Sequence, residues 1–515
     1  VPPRAWLLLQ LAVMLAWLTG GAFLLGERAA VSRRGAPNER NADLPNVLLV
    51  VVDALRPDVL GAYGNATVQT PHLDALAANG VTFFDARVQA PYTWTSFGSW
   101  FTGKYPRRHG LMKMAPGVRM EPNLTLPQLL KSGVRAADGV ALRDEDYVGG
   151  AFMTGALSHG SGLAAGFDSY AEVMMGHGRV DLDSRWSLFR SELLLPKVWS
   201  KLRSKLDPDH VVRLAREWLG ERRGRRFVAF VHLYSTHTPY DPPQRWRELY
   251  VDPAYDGPIE AFYADHRRAI EQGEYVLSAA DARQIYDLYL AGVSQADHHV
   301  GLLLADLADA GVLDDTLVIV TSDHGEDFGA GAVRDPATGA LVSPGRWEHS
   351  HMYRSNLHVP LIVSWPRALP RGAKVTAAVE SVDLLPTVAE LAGLALPAPA
   401  TPRDAIDGAS LLPLVRGEVE AVKRFTFAED ARFVSIADER YMLTLERYAV
   451  APDGWQVVLE EGLGEVRFHD SEVDPLQERN LFEDLVRGVG EDAPPEARAA
   501  RERVLAEVER LRAAL

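Results

Sequence analysis

The chain of 515 residues contains no cysteine and is short of basic residues. The absence of cysteine excludes disulfide bonds, thiolate metal sites and a cysteine nucleophile. With 54 Lys and Arg against 69 Asp and Glu, the formal net charge is −15, so the overall balance does not favour nucleic acid as a partner. Acidic groups near a catalytic centre suit a divalent cation instead. The apolar fraction of 47% is enough for one large α/β domain and a smaller appendage.

A long uncharged run lies near the start of the chain, from Ala5 to Gly26. It is rich in Leu, Ala and Trp and meets the roughly 20 residues that a membrane helix needs. A cleaved signal peptide is the alternative, but the run exceeds the usual apolar region of such a peptide, and the residues after it form a poor cleavage site. The pattern therefore favours an uncleaved membrane anchor followed by a polar linker, together covering residues 1–45.

Strand-like and helical segments alternate after this linker. The runs Val47–Val52 and Leu317–Val320 are apolar and β-branched, which suits strands buried on both faces of a sheet. Residues 280–308 have the apolar stripe of a long helix. The alternation predicts a mixed, mostly parallel sheet covered by helices over residues 46–416.

The last part of the chain has a different pattern. A small antiparallel unit is predicted over residues 417–515 from short strand-like runs at 425–433, 441–445 and 455–459 and a charged amphipathic helix at 495–515.

Acidic residues follow two of the predicted buried strands. Asp53 comes directly after Val47–Val52, and Asp323 with His324 comes shortly after Leu317–Val320. Ligands bind beyond the carboxyl ends of such strands. A lone Asp at a strand end is often a helix cap, but two such strand ends together favour a metal site. Carboxylate oxygens and one imidazole suit Mg, Mn, Ca or Zn.

Hydroxyl side chains cluster between Pro91 and Pro106 and are candidates for a nucleophile. A cation bound to such a hydroxyl lowers its pKa and orients it for attack. Residue type alone does not choose among four candidates in this segment: Thr93, Thr95, Ser96 and Ser99.

Three histidines lie on loops, where side chains can face a ligand. His237 stands on a Pro-rich loop after a predicted strand, and His349 and His351 precede another strand. Each has the chemistry to protonate a leaving oxygen or to hold an anionic ester. Because a lone loop histidine more often has no catalytic role, the residue pattern alone leaves their roles open.

These segments together resemble the sulfatase family of the alkaline phosphatase superfamily, over most of the chain after the linker. The run Asn46–Asp58 with residues 61–64 resembles the family's opening strand and metal loop, and Ser322–Glu326 resembles its second metal segment. Thr102–Pro106 with His109 and Gly110 resembles the tail of its nucleophile segment. Further ordered matches lie at residues 70–74, 359–362, 383–387 and 407–411. The resemblance implies an alkaline-phosphatase-like mixed sheet sandwiched by helices, with a small C-terminal antiparallel sheet and helix.

Within this resemblance, Thr93 stands where the family carries its nucleophile. Sulfatases are known for Cys or Ser there, within a Cys/Ser-x-Pro-x-Arg pattern, which is converted to formylglycine. Here the five residues are Thr-Trp-Thr-Ser-Phe, from Thr93 to Phe97, so no formylglycine is expected. The hydrated aldehyde has a second hydroxyl that expels sulfate by breaking the carbon–oxygen bond, and a sulfated threonine has no such group. Phosphorus accepts attack by water more readily, so a phosphorylated threonine can be hydrolysed. The departure therefore implies phosphoryl chemistry, as in phosphodiesterase and transferase relatives.

The resemblance also implies a metal-ligand set. Asp53, Thr93, Asp323 and His324 match positions that hold a metal ion, and the combination of a single first-strand Asp with an Asp-His pair resembles the phosphate-processing relatives. One divalent ion is expected, whether Mn, Zn, Ca or Mg.

The expected catalytic residues are Thr93 and two of the loop histidines. His237 matches the family's substrate-facing histidine in its His-x-Pro-Tyr loop, and His349 is the better match for the family's later histidine. The role of His351 stays open.

The expected function is that of a membrane-anchored, metal-dependent hydrolase or transferase of phosphate esters, acting by phosphodiester cleavage or phospho-head-group transfer through a covalent Thr93 intermediate. The expected partners are a membrane and a small-molecule, lipid or glycan ester, with no nucleic acid. The relatives' usual placement implies a catalytic domain on the periplasmic or extracellular side of a bacterial inner membrane. Two alternatives are a sulfuric ester hydrolase and a catalytically silent envelope binding protein.

Overall fold

The computed structural model of the protein describes residues 43–512 with several gaps. The residues outside this description are 1–42, 116, 155–158, 174–207, 222–224, 331–332, 335–340, 344–345, 350, 447, 451–456, 460–465, 471–476, 478–479, 482–494 and 513–515.

The strands, numbered in chain order, are β1 (Asn46–Val52), β2 (Val81–Arg87), β3 (Val134–Arg135), β4 (Tyr147–Thr154), β5 (Ser169–Val173), β6 (Arg226–Leu233), β7 (Thr316–Thr321), β8 (Asp327–Ala330), β9 (Val333–Arg334), β10 (Leu341–Ser343), β11 (Arg346–Glu348), β12 (His358–Ser364), β13 (Ala373–Glu380), β14 (Leu394–Ala395), β15 (Thr426–Glu429), β16 (Phe433–Ala437), β17 (Tyr441–Glu446), β18 (Tyr448–Val450), β19 (Val457–Leu459) and β20 (Val466–Asp470).

The α-helices are α1 (Pro71–Ala78), α2 (Thr93–Thr102), α3 (Pro106–His109), α4 (Leu126–Ser132), α5 (Pro208–Glu221), α6 (Gln244–Arg247), α7 (Ala264–Glu271), α8 (Ala279–Asp309), α9 (Arg354–Leu357), α10 (Leu384–Leu391), α11 (Leu412–Val415) and α12 (Pro495–Arg512).

An eight-stranded sheet with the order β13-β2-β12-β7-β1-β6-β4-β5 forms the centre of the protein. Strand β12 runs antiparallel to both of its neighbours, and the other adjacent pairs are parallel. The prediction of a mixed, mostly parallel sheet flanked by helices is therefore confirmed.

Strand β1 is buried along its whole length because helices cover both faces of the sheet. Side chains alternate between the two faces of a strand. Val47, Leu49 and Val51 belong to the apolar core that also contains the aromatic residues of α2, whereas Leu48 and Val50 belong to the core that contains α8. This two-sided burial is why the strand is a continuous apolar run.

The C-terminal part forms a separate antiparallel sheet with the order β15-β16-β17-β20. Helix α12 packs Val504, Val508 and Leu511 against one side of it, in a small core with Ile436 and Phe468. The predicted antiparallel sheet and helix are therefore confirmed.

One predicted strand in this part is wrong in its extent. Residues 425–433 were expected to form a single strand, but β15 ends at Glu429 and β16 begins at Phe433. Between them, Oδ1 of Asp430 accepts hydrogen bonds from the N–H groups of Arg432 and Phe433, both at 2.7 Å. An aspartate that binds the backbone two and three residues ahead makes a tight turn, so the run becomes a hairpin.

The predicted membrane localisation is corrected by the fold. In the part of the chain that the structure describes, no helix is both long enough and apolar enough to cross a bilayer. The longest, α8, has 31 residues but contains ionisable side chains such as Asp281, Arg283 and Asp287, which are costly within a bilayer. Residues 5–26, on which the expected anchor rested, lie outside the described residues. The prediction of an anchored periplasmic or extracellular catalytic domain is withdrawn.

Two helical glycines are expected to respond in opposite ways to alanine. In α2, a Cβ on Gly98 would lie 2.6 Å from Cε1 of the buried His109 ring, whereas a Cβ on Gly220 in α5 would meet no atom within 4 Å. The His109 ring cannot move freely, because its Nε2 lies 3.0 Å from Oγ of Ser99 and its Nδ1 accepts from the N–H of Leu111 at 3.2 Å.

Gly98→Ala is therefore expected to lower the free energy of unfolding by about 1–3 kcal/mol, the usual cost of overpacking. Gly220→Ala is the matched control and is expected to be neutral or stabilising by up to about 1 kcal/mol. Denaturant unfolding of both variants measures these changes, and equal effects would contradict the packing argument.

Candidate functional site

Three predicted metal ligands meet at the carboxyl edge of the central strands. Strands β1 and β7 are parallel neighbours in a register that pairs Val51 with Thr321, so the residues after both strands emerge side by side. Nε2 of His324 lies 3.4 Å from Oδ1 of Asp53 and 3.6 Å from Oδ2 of Asp323. All three side chains are fully buried.

The turn after β1 holds this arrangement through its backbone. Ala54 has φ 58°, in the left-handed region that favours glycine. Its N–H donates to Oδ1 of Asp323 at 3.2 Å, and its carbonyl accepts from the Tyr289 hydroxyl at 2.9 Å. The next N–H, that of Leu55, donates to Oγ of Ser322 at 2.8 Å. These contacts hold the left-handed residue in place and join the ends of β1 and β7.

Thr93 is the first residue of α2 and lies beside the same carboxylates. A hydrogen bond from its side chain to Asp323 favours the ionised form of that carboxyl group. The Thr93 side chain is half-buried. The Thr93 side chain therefore lies between the predicted metal ligands and the protein surface.

Two other hydroxyls of this segment, those of Ser96 and Ser99, contact groups outside the predicted metal site. Thr95, Ser96 and Ser99 are fully buried. Oγ of Ser96 donates to the carbonyl of Ala90 at 2.9 Å, and Oγ of Ser99 lies 3.0 Å from Nε2 of His109. The geometry brings Thr93, rather than Ser96 or Ser99, to the predicted metal ligands.

The loop histidines divide into two sets. The ring of His349 stacks on that of His324, with 3.9 Å between centroids, and lies 4.8 Å from the ring of His237. The ring of His351 instead packs against Tyr353 at 5.9 Å. The structure thus places His237 and His349 at the site and gives His351 a different neighbour.

Backbone carbonyls orient two of these imidazoles. Nδ1 of His324 lies 2.9 Å from the carbonyl of Gly325, and Nδ1 of His237 lies 2.7 Å from the carbonyl of Thr238. A carbonyl oxygen only accepts, so each Nδ1 carries the hydrogen and the neutral ring presents a lone pair at Nε2. Metal-binding histidines commonly make this second contact.

His232 is a site residue that the sequence reasoning missed. It lies within β6, fully buried, with Nε2 3.1 Å from Oδ2 of Asp53 and Nδ1 2.7 Å from the carbonyl of Thr154. The sequence could have indicated this role, because a histidine near the end of an otherwise apolar buried strand needs polar partners. The motif residue Glu326, which the sequence reasoning left without a role, is also fully buried here.

The electrostatics of the site follow from burial of opposite and like charges. Burial opposes ionisation of Asp53, but the positive charge that His237 bears when it is protonated and the contact with His232 outweigh it, and the pKa of Asp53 lies below its ordinary value. Burial and the charge of Asp53 raise the pKa of Asp323. Burial lowers the pKa of His349 well below its ordinary value, and the positive charges that His324 and His237 bear when they are protonated act in the same direction.

The oxygen and nitrogen atoms that could bind a metal are suited to a divalent cation. Oδ1 of Asp53, Oδ2 of Asp323 and Nε2 of His324 are buried and have no hydrogen-bond partner among the described residues. One ligand atom from each of the three side chains lies within 4.8 Å of the others. Buried polar atoms are normally satisfied, and a hard or borderline ion would satisfy these.

A second possible ligand group overlaps the first. Ligand atoms of His237, His324 and His349 also lie within 4.8 Å of one another. His324 has only its Nε2 to offer, since its Nδ1 lies against the carbonyl of Gly325. It can therefore serve one of the two groups at a time, and the group with the two carboxylates supplies the negative charge that a cation needs.

Chemically, the site combines a cation position, a half-buried hydroxyl and two imidazoles at one edge of the sheet. Carboxylates that hold a cation, with imidazoles beside it, are suited to binding an anionic ester and to assisting departure of its leaving oxygen.

Comparisons with known proteins agree with this geometry. Residues 45–394 match the family model described as Sulfatase, and residues 344–486 match the model described as N-sulphoglucosamine sulphohydrolase, C-terminal. A curated relative named Sulfatase, from Formosa agariphila, is 26% identical over 487 residues, covering 86% of this chain and 85% of that protein.

Two solved structures share the fold. A protein in complex with its substrate D-glucosamine-2-N,6-O-disulfate is 17% identical with a TM-score of 0.61, covering 91% of this chain and 97% of that one. The phosphonate monoester hydrolase of Agrobacterium radiobacter is 20% identical with a TM-score of 0.60, covering 91% and 96%. With the family model spanning most of the chain and the site at the expected strand ends, the chain belongs to the sulfatase family.

Proposed function

We propose that this protein is a metal-dependent hydrolase of sulfuric esters of small molecules or glycans. The observation that carries the proposal is the convergence of Asp53, Asp323 and His324, with their unsatisfied buried ligand atoms, beside Thr93. The comparisons favour this alternative over the phosphodiester or head-group transfer predicted from the sequence, because the family model and the curated relative bear the name sulfatase. A solved neighbour has a disulfated glucosamine as its substrate.

Asp53, Asp323, His324 and the Thr93 hydroxyl would hold one divalent ion, of Mn, Zn, Ca or Mg type. Such an ion polarises the ester and stabilises the charge that develops on its oxygens. The protein side chains supply the rest: Asp323 orients the Thr93 hydroxyl, and the turn at Ala54 fixes Asp323.

His237 and His349 would face the bound ester. The imidazole of His237 is held by the carbonyl of Thr238, with the hydroxyl of Tyr234 3.4 Å from its Nε2. In the neutral form, each ring can accept a proton at Nε2, and in the protonated form it can contact the non-bridging oxygens or protonate the leaving oxygen. Because Thr93 provides no aldehyde, water is the nucleophile proposed for a sulfuric ester. It would form a new S–O bond as the bond from sulfur to the leaving oxygen breaks, and its proton would pass to a neutral imidazole, while Thr93 positions the ester.

A second candidate function is hydrolysis of a phosphate or phosphonate ester, and the identity of Thr93 specifically favours it. Here Oγ of Thr93 would attack phosphorus, forming a new P–O bond as the bond to the leaving oxygen breaks, and water would then release the phosphoryl group. A phosphonate monoester hydrolase is among the structures that share the fold.

The test is product release and intact mass after separate incubations with a 4-nitrophenyl sulfate, a phosphodiester and a phosphonate monoester, in the presence of Mn²⁺ or Zn²⁺. Sulfate release without a covalent adduct is the result expected for the first candidate. A phosphoryl adduct that is absent in Thr93→Ala is the result expected for the second. Thr67→Ala, at an exposed threonine, is the matched control and is expected to behave as wild type.

Release of no product from any ester, with ligand binding unchanged in Thr93→Ala, would contradict both candidates. That combination would leave the silent binding protein as the better account of the site.

A further inference from the structure

Glu326 is a buried carboxyl group to which the proposed reaction gives no task. It has no exposed surface. Its Oε2 accepts a hydrogen bond from the Tyr240 hydroxyl at 2.7 Å, and its Oε1 accepts one from the N–H of Asp327 at 3.2 Å. Burial of a carboxyl group costs free energy even with such bonds, so a specific role would explain its presence beside the site.

The carboxyl group of Glu326 faces an imidazole of the site. Nδ1 of His349 lies 3.9 Å from Oε1 of Glu326. This Nδ1 is buried and has no hydrogen-bond partner in the part of the chain that the structure describes. The flat face of the same ring stacks on His324 at 3.9 Å between centroids. The ring thus meets Glu326 at its Nδ1 edge and His324 on its face.

Tyr240 gives the carboxyl group a fixed position. The tyrosine is 2% exposed, and its ring stacks on that of Phe262 with 5.6 Å between centroids and 18° between planes. A buried hydroxyl held in this way directs Oε2 and leaves Oε1 towards His349. The three groups form a chain from the core to the site: Tyr240, Glu326 and His349.

We propose that Glu326 is a positioning residue that orients the His349 imidazole, with Tyr240 fixing Glu326 in turn. A hydrogen bond from Nδ1 of His349 to Oε1 would leave Nε2 as the nitrogen that faces the ester. The 3.9 Å separation is about 1 Å longer than a hydrogen bond, and catalytic hydrogen bonds often shorten only when a ligand binds. The inference rests on the proposed function, because it assigns the ester to the side of His349 away from Glu326.

The first test is a double-mutant cycle on the full-length, metal-loaded protein, using the ester that wild type cleaves fastest. Glu326→Ala is expected to lower kcat by about 10–100-fold with little change in KM, the usual effect of losing a partner that orients a site residue. In the His349→Ala background it is expected to have no further effect, because the two residues act as one unit. Glu326→Gln keeps an acceptor oxygen and is expected to recover most of kcat.

The controls separate orientation from stability. Glu418→Ala, at an exposed glutamate, is expected to leave kcat unchanged. Metal content by plasma mass spectrometry and the midpoint of thermal unfolding are measured for every variant, so loss of the ion or of the fold is seen directly. Equal losses of kcat from Glu326→Ala in both backgrounds would overturn the inference. No effect of His349→Ala would overturn it too, and would also remove His349 from the proposed function.

The second test needs no turnover and therefore stands even if the proposed function fails. The tautomer of His349 is followed by ¹⁵N NMR of histidine-labelled, Zn²⁺-loaded protein, with its signals assigned by their absence in His349→Ala. We expect hydrogen on Nδ1 in wild type and loss of that preference in Glu326→Ala. An unchanged tautomer in Glu326→Ala would refute the orienting role.

Discussion

Replacing Asp323 by asparagine is expected to destroy metal binding while leaving the metal-free protein at least as stable as wild type. Asp323 is fully buried near Asp53, and burial together with the charge of Asp53 raises the pKa of Asp323. The asparagine has nearly the same size and keeps an oxygen that can accept from the N–H groups of Ala54 and His324. The substitution removes one of two buried negative charges. It therefore also removes a charged ligand of the metal.

The measurement is calorimetric titration with Mn²⁺ and Zn²⁺, and thermal unfolding with and without metal. We expect the Kd to rise by more than about 100-fold, since even partners outside the ligand set are worth 10–100-fold. A metal at about 100 times its Kd stabilises the native state by about 2.7 kcal/mol, and this gain should vanish in Asp323→Asn. The exposed Asp314→Asn is the matched control. Wild-type affinity in Asp323→Asn would contradict the assigned ligand set.

The second large effect is expected from Lys423→Met, far along the chain from the site residues. The ammonium of Lys423 lies 2.6 Å from Oε2 of Glu380 and 2.8 Å from Oδ1 of Asp383, and both carboxyl groups are fully buried. Removing the cation leaves two buried acids without their shared partner. The cost in free energy of unfolding is expected to be about 3–5 kcal/mol at pH 8.

This loss is expected to be smaller at pH 5 than at pH 8. Burial raises the pKa of Asp383 to about 6, against the opposing charge of Lys423. Without Lys423 the pKa of Asp383 rises further, so the native state binds a proton that the unfolded state releases above about pH 4. The stability of the variant therefore falls as the pH rises from about 4 through the raised pKa of Asp383.

Denaturant unfolding at both pH values measures this dependence. Lys113→Met, at an exposed lysine, is expected to change stability by less than about 0.5 kcal/mol at either pH. If the loss of unfolding free energy in Lys423→Met did not depend on pH, packing of the lysine side chain, rather than its charge, would be what stabilises the native state here.

Much of the fold was predictable because it depends on short-range patterns. The apolar runs predicted β1 and β7 to within two residues of their ends, and the long stripe at 280–308 predicted α8. The hairpin at Asp430 was missed, because a turn made by one side chain interrupts an apolar run without changing its composition.

The site was predictable in part for a similar reason. Asp53, Asp323 and His324 were predicted as metal ligands because ligands collect beyond the carboxyl ends of parallel strands. The structure brings their side chains together, and their role as ligands stays a prediction. The structure places Thr93, His237 and His349 beside them, and their catalytic roles remain proposals. His232 and Glu326 were not assigned, because their significance depends on contacts with Asp53 and His349 that no local pattern contains.

The sequence by itself determined the buried strands β1 and β7 and the long helix α8, since apolar runs and helical periodicity are properties of neighbouring residues. It also determined that no thiol takes part in the chemistry. Only the tertiary structure decided which hydroxyl lies beside the carboxylates of the predicted metal site and which histidine faces Glu326. The N–H of Ala54 and the carboxylate of Asp323 are separated by 269 positions along the chain, and their contact exists only because β1 and β7 pair in one register of the sheet.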